Sequence, residues 1–226
     1  MIETLKNKIA NIGKRLVRCH ATFCQEIENN PKKGMPPRTL YLEERKGAKK
    51  AIIIGINPGK PKKGEKEEYI KKFNNKGKIE YNDLIDYWEK HLKKEKYFEK
   101  IRNLLNNIDI RGTLLWSNLC KCQTKSSDKI PSIQNLRYCI NKFLKKEIDC
   151  LDNKWFLICV GYESFKAISY IYYNKKVLGI YHPTGGGRHF MVYSGKERKI
   201  KKIVNTLIKE KKNQAIFINE KILNNI

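Results

Sequence analysis

The chain has 226 residues, 40% hydrophobic and 31% charged, which is enough apolar material for one domain core beneath a heavily solvated surface. Its 48 Lys and Arg against 23 Asp and Glu give a formal net charge of +25, a field that draws polyanions and suits nucleic acid better than small acidic metabolites. No stretch approaches the roughly 20 apolar residues of a membrane helix. The first residues also lack the pattern of a secretion signal, so a cytoplasmic protein without a membrane partner is expected.

The apolar gaps of three and four among Ile2, Leu5, Ile9, Ile12 and Leu16 predict a helix over 2–18. Pro31, Gly34, Pro36 and Pro37 predict a loop over 29–38. Ala51–Ile54 is an uninterrupted apolar run, the mark of a strand covered on both faces, and 55–64 reads as loop. Residues 65–108 read as helical, broken near Asn74–Gly77. Thr113–Trp116 predicts a second strand leading into Asn118, and 132–149 a helix. Trp155–Val160 predicts a third strand, Ser164–Tyr172 a helix, Val177–Tyr181 a fourth strand and 195–211 a basic helix.

Strands alternating with helices predict a three-layer α/β/α sandwich with a central, mainly parallel four-stranded sheet. Neither an internal repeat nor a second domain is evident. The expected single domain comprises an N-terminal helix and cysteine segment (1–50), a core (51–194) and a C-terminal basic helix and tail (195–226).

In such sheets ligands bind beyond the carboxyl ends of the strands, where Asn57, Asn118 and His182 fall. An amide can orient a water but takes up no proton near neutral pH. A neutral imidazole can donate its N–H to a developing negative charge. Each also has a plainer reading: Asn57 as a turn former before Pro58, Asn118 as a strand-end turn residue, His182 as a satisfied strand-end histidine. Gly55 through Lys60 is not a phosphate loop. It has three residues between its glycines instead of four, and Pro61 stands where a Ser or Thr would reach magnesium. No nucleotide cofactor is expected. Seven cysteines, an odd number in a chain read as cytoplasmic, argue against a disulfide framework and leave buried thiols or metal ligation.

Four segments in order resemble motifs of the uracil-DNA glycosylase superfamily, over about Cys19 to Phe190. Gly55-Ile56-Asn57-Pro58-Gly59 resembles the first motif of the mismatch-specific and single-strand-selective branches. His182-Pro183-Thr184 resembles the second, usually His-Pro-Ser. Phe156–Gly161 resembles the core strand between them, and Asn118-Leu119-Cys120-Lys121-Cys122 the Asn-x-x-Lys-Cys segment of the iron–sulfur branch.

The resemblance implies a monofunctional glycosylase that flips uracil or a related altered base out of DNA and hydrolyses its N-glycosidic bond. His182 would donate to the leaving base and Asn57 would position the water. Gly55, Ile56, Pro58 and Gly59 would shape the pocket. Asn118 would read the base edge, and Tyr69, twelve residues beyond Asn57, would stack on the base or serve as a core aromatic. Lys60, Lys62 and Lys63 would meet phosphates. Thr184, Gly185, Arg188 and Phe190 would enter the groove, Phe190 as a wedge, although the triple glycine differs from the family loop.

Cys19, Cys24, Cys122 and Cys139 would hold a four-iron, four-sulfur (4Fe-4S) cluster, with four residues between the first two where the branch has two. Cys120 is an alternative ligand, and free thiols or zinc are alternatives to the cluster. Cys150 and Cys159 are expected to be structural. No lysine stands at a motif position for a Schiff base, so strand cleavage is not expected. The expected partner is double- or single-stranded DNA and the expected state a monomer. Two other readings stay open: a glycosylase for a modified pyrimidine, for example in defence against foreign DNA, and a non-catalytic DNA-binding protein on the same fold.

Overall fold

Ala51–Ile54, almost wholly buried, occupies the interior of the central sheet in the computed structural model, as an apolar run without alternation requires. The structure describes residues 2–19, 21, 24, 27–126, 129–184, 188–209 and 214–225. In chain order the elements are α1 (Ile2–Leu16), β1 (Ile27–Glu28), β2 (Tyr41–Glu43), β3 (Lys50–Gly55), α2 (Lys63–Lys76), α3 (Tyr81–Lys90) and α4 (Lys96–Asn107). There follow β4 (Leu114–Asn118), β5 (Gln123–Thr124), α5 (Ile133–Cys139), α6 (Lys145–Asp149), β6 (Trp155–Val160), α7 (Tyr162–Ile171) and β7 (Val177–Ile180). The last are α8 (Arg188–Met191), α9 (Glu197–Lys209), β8 (Ala215–Phe217) and α10 (Glu220–Asn224).

The protein is mixed α/β with a mainly parallel sheet, but the sheet has six strands, in the order β2-β4-β3-β6-β7-β8, where four were expected. The added strands, β2 and β8, are three residues each, too short for a periodic signal, and β2 follows the proline-rich loop. A separate antiparallel pair joins β1 to β5, Ile27 opposite Thr124. The long helical stretch resolves into α2, α3 and α4. Its first break comes where Gly77, at φ +68°, caps α2 by donating its N–H to the Phe73 carbonyl. A π turn at Ile140–Leu144 separates α5 from α6 within the single helix expected there. Among the described residues no helix is long and apolar enough to cross a membrane.

The chain gathers into two compact units, each assembled from three stretches. The first takes residues 1–42, 56–92 and 116–152. In it α1 buries Ile9, Ile12 and Leu16 and packs on α3, while Tyr41 stacks on Trp88 at 4.6 Å between ring centroids. Each large apolar side chain so enclosed contributes about 1.5–3 kcal/mol.

The second unit takes residues 43–55, 93–115 and 153–226. Its centre is the parallel series β3, β6, β7 and β8, with Ile53 opposite Ile158, Ile158 opposite Leu178, and Leu178 opposite Ile216. At Gly179 of β7 a Cβ would lie 2.3 Å from the Phe217 ring and 2.7 Å from Phe165, so only glycine admits that aromatic packing. Because β3 and β7 both run parallel to β6, the chain leaves both at the same, carboxyl edge of this sheet.

Candidate functional site

The first motif starts where β3 ends. Asn57 is half-buried, and its amide Nδ2 donates to the Pro58 carbonyl at 3.3 Å, a local turn contact. Ile56 accepts the Cys120 N–H at 2.8 Å, which ties this loop to the segment after β4. Pro58 is buried; Gly59 and Lys60 are exposed.

Arg38, a residue with no motif to announce it, holds the loop from beneath. The residue is 5% exposed, and its guanidinium donates to the Gly59 carbonyl, to Glu65 on the first turns of α2, and to Gln123 Oε1 at 3.3 Å. Its own N–H is bonded to the Lys121 carbonyl at 2.8 Å. Thr39 and Leu40, which follow, have φ of +82° and +110°, conformations that a β-branched and a bulky residue adopt only when their surroundings impose them. The fork geometry of arginine suits this three-way clamp, and Lys would not reproduce it. Only its position between Pro37 and the buried run hinted at it.

Asn118 ends β4 and is 7% exposed. Tyr69 is fully enclosed, 5.5 Å from the Tyr87 ring, and presents no ring face to a base in this conformation. Among the described residues its hydroxyl has no hydrogen-bond partner, and burial raises its pKa well above the ordinary tyrosine value. Arg38, Glu65, Tyr41 and Tyr69 thus form a buried polar group under the first motif.

The second motif lies in the other unit. The Thr184 N–H donates to His182 Nδ1 at 3.3 Å. A nitrogen that accepts cannot carry the proton, so the neutral ring has its N–H at Nε2. His182 is exposed at the surface, yet the protein packed around its ring lowers its pKa below the ordinary value, and the ring is therefore neutral at pH 7. Two residues of α4 complete the setting: the Tyr97 ring lies 5.2 Å from the imidazole, and Lys100 Nζ donates to the Pro183 carbonyl at 3.1 Å. Neither was foreseen, because they stand some 80 positions upstream and no local pattern joins them to the motif. Tyr193 secures the approach, accepting the Tyr181 N–H at 2.7 Å and donating to the Ile218 carbonyl at 2.8 Å.

Five cysteines of the first unit converge. Cys120, Cys122 and Cys139 are buried with Ile27, and Cys24 packs against them. Cys19 is buried close enough to act electrostatically on Cys24 and Cys122. The sulfurs of Cys120 and Cys139 are 4.0 Å apart. Burial, then the neighbouring thiols, pushes Cys24 up to about 11 and Cys122 upward as well. The contact between Cys120 and Cys139 splits that pair: Cys120 rises, and Cys139 falls, helped by the Lys121 backbone and charge. Among the described residues no group of three or more His, Cys, Asp or Glu is set to hold a metal ion. A cluster of thiols nevertheless has the donor chemistry that iron–sulfur clusters take. Cys150 is half-buried and Cys159 is enclosed in β6.

The residues expected at DNA are mostly exposed. Lys60, Lys62 and Lys63 flank the first motif, Lys63 lying 3.9 Å from Glu67. Thr184 is exposed, and Phe190 is half-buried with its ring edge-on to Tyr193 at 5.2 Å. Gly185 and the Arg188 side chain lie outside the described residues. Compared with known proteins, the chain matches no family model and no curated protein.

Proposed function

We propose that this protein is a monofunctional DNA glycosylase that acts in the cytoplasm as a monomer and removes uracil or a related altered base, on a three-layer fold of the uracil-DNA glycosylase kind. The observation that carries the reading is the state of His182: a neutral imidazole whose Nδ1 is occupied by a backbone N–H, leaving its proton on Nε2. Breaking an N-glycosidic bond puts negative charge on the departing base, and a fixed donor lowers the barrier by meeting that charge. Asn57 orients the attacking water without taking its proton, which suits a reaction in which the bond is largely broken before water attacks. Asn118 offers one donor and one acceptor, the complement of a pyrimidine N3–H and O4. The net charge of +25 and the lysines beside the first motif favour DNA as partner.

Cys19, Cys24, Cys122 and Cys139, with Cys120 beside them, would hold a 4Fe-4S cluster. When bound, the group supplies a structural tie between the segment after α1 and the segment after β4. Protein purified anaerobically should then contain iron and acid-labile sulfide, about four of each per chain. Cys122→Ser should lose both. A colourless protein with neither removes the cluster from this account.

The activity is tested with labelled single- and double-stranded oligonucleotides bearing uracil, hypoxanthine, xanthine or a modified pyrimidine, treated with alkali after incubation. Strand breaks at the position of one of these bases identify the substrate. Asn57→Ala should slow base release by roughly 10²-fold, the scale of losing a positioned reactant, with DNA affinity unchanged. Binding of every oligonucleotide without release of any base would leave only a DNA-binding protein.

A further inference from the structure

Helix α9 is divided lengthwise. Ile200, Ile203, Val204 and Leu207 are buried in the second unit, whereas Arg198, Lys201, Lys202 and Lys209 are exposed. The four cations, with Asn205 and Thr206, line one shallow groove along the helix. At 1.5 Å per residue the row from Arg198 to Lys209 is about 16 Å long. Among the described residues none of the four makes an ion pair. Asp109, the acid that feels Lys201, is already held by Lys49 at 3.1 Å and lies 3.8 Å from Arg111.

A straight, uncompensated row of cations needs an anionic partner of similar length. A bilayer is a poor fit, because a helix that binds a membrane surface must insert an apolar face, and the apolar face of α9 is spent in the core. Duplex DNA fits: one strand advances about 3.4 Å along the axis per phosphate, so the row matches four or five consecutive phosphates. We infer that α9 is a second nucleic-acid contact of this protein, laid along one strand of a duplex backbone. The inference rests on the DNA partner of the reading above but on none of its chemistry. Contacts of this kind fix position and supply affinity without reading sequence.

The measurement is binding of an undamaged duplex by fluorescence anisotropy between 50 and 200 mM KCl. Each phosphate neutralised contributes about 0.9 to the slope of log affinity against log salt. The variant R198Q/K201Q/K202Q/K209Q should therefore have a slope shallower by about 3 to 4. The control K90Q/K94Q/K145Q/K146Q removes as much charge from exposed positions elsewhere and should change the slope by less than about one. Melting temperatures matched to wild type exclude misfolding, and K201R/K202R/K209R, which keeps the charge, should keep the wild-type slope. A slope unchanged in the quadruple variant, or lowered equally in the control, overturns the assignment and points to a diffuse field or an acidic protein partner. Failure of the two readings is distinguishable: loss of slope without base release from any substrate preserves this contact and removes the glycosylase.

Discussion

Replacing His182 by alanine is expected to lower base release by about 10²- to 10³-fold, the scale found when one donor to a developing oxyanion is removed. Affinity for DNA should stay within the error of the measurement, because the residue carries no charge at neutral pH. The same arrangement has a pH signature. A histidine whose folded pKa lies below its ordinary value of 6.5 binds fewer protons folded than unfolded as pH drops below that value. Its contribution to stability is therefore complete above about pH 6.5 and is lost as pH falls toward the folded pKa. Protonation would also set a second N–H at Nδ1 against the Thr184 N–H that now points at it. Base release should consequently be level above neutrality and should fall on the acid side, with the fall absent from the residual rate of His182→Ala. Single-turnover rates from pH 5 to 8 read this directly. A His182→Ala protein that turns over like wild type removes the proposed site, whatever the binding data show.

The largest expected effect on stability lies in the first unit, at a residue that composition alone would put on the surface. Lys121 is 0% exposed, as is its partner Glu147, whose Oε1 is 2.8 Å from Lys121 Nζ. The ammonium also donates to Glu147 Oε2 at 2.9 Å and to Ser117 Oγ at 2.6 Å, and the Ser117 hydroxyl donates to the same Oε2, which among the described residues leaves Glu147 Oε1 held by the ion pair without a hydrogen bond. Removing one charge strands the other away from water. Lys121→Met should destabilise the fold by about 3–5 kcal/mol, the measured range for breaking a buried pair. At about 2–4 °C per kcal/mol for a chain of this length, the melting temperature should fall by roughly 6–20 °C. The double variant Lys121→Met/Glu147→Leu removes both charges and should regain most of that loss, since apolar residues of similar volume replace buried pairs at little net cost. Urea denaturation of the three proteins decides it. A single variant within about 1 kcal/mol of wild type, or a double variant worse than the single, would show that the pair does not behave as a buried ion pair.

Lys121 also shows why the cysteine segment is held as it is. Its side chain is anchored to α6 while its carbonyl accepts the Arg38 N–H at 2.8 Å, and Arg38 reaches the Gly59 carbonyl. The segment that carries Cys120 and Cys122 and the loop that carries Asn57 therefore share one buried polar support. Nothing in the spacing of Arg38, Glu65, Lys121 and Glu147 announces this, because each partner lies 26 or 27 residues or more from the next.

The apolar runs at β3, β6 and β7 declared themselves because a strand covered on both faces has no polar alternation to confuse it. Asn57, Asn118 and His182 were legible for the same reason: a polar residue that ends a buried run stands at a strand edge. The third dimension decided what periodicity does not encode. Two three-residue strands widened the sheet to six, Tyr69 was enclosed, a lysine was drawn inside, and cysteines about a hundred positions apart were packed into one buried cluster. Local pattern reports which face of an element avoids water. Which partner a buried charge, ring or thiol meets depends on contacts between distant segments, and only the folded chain supplies them.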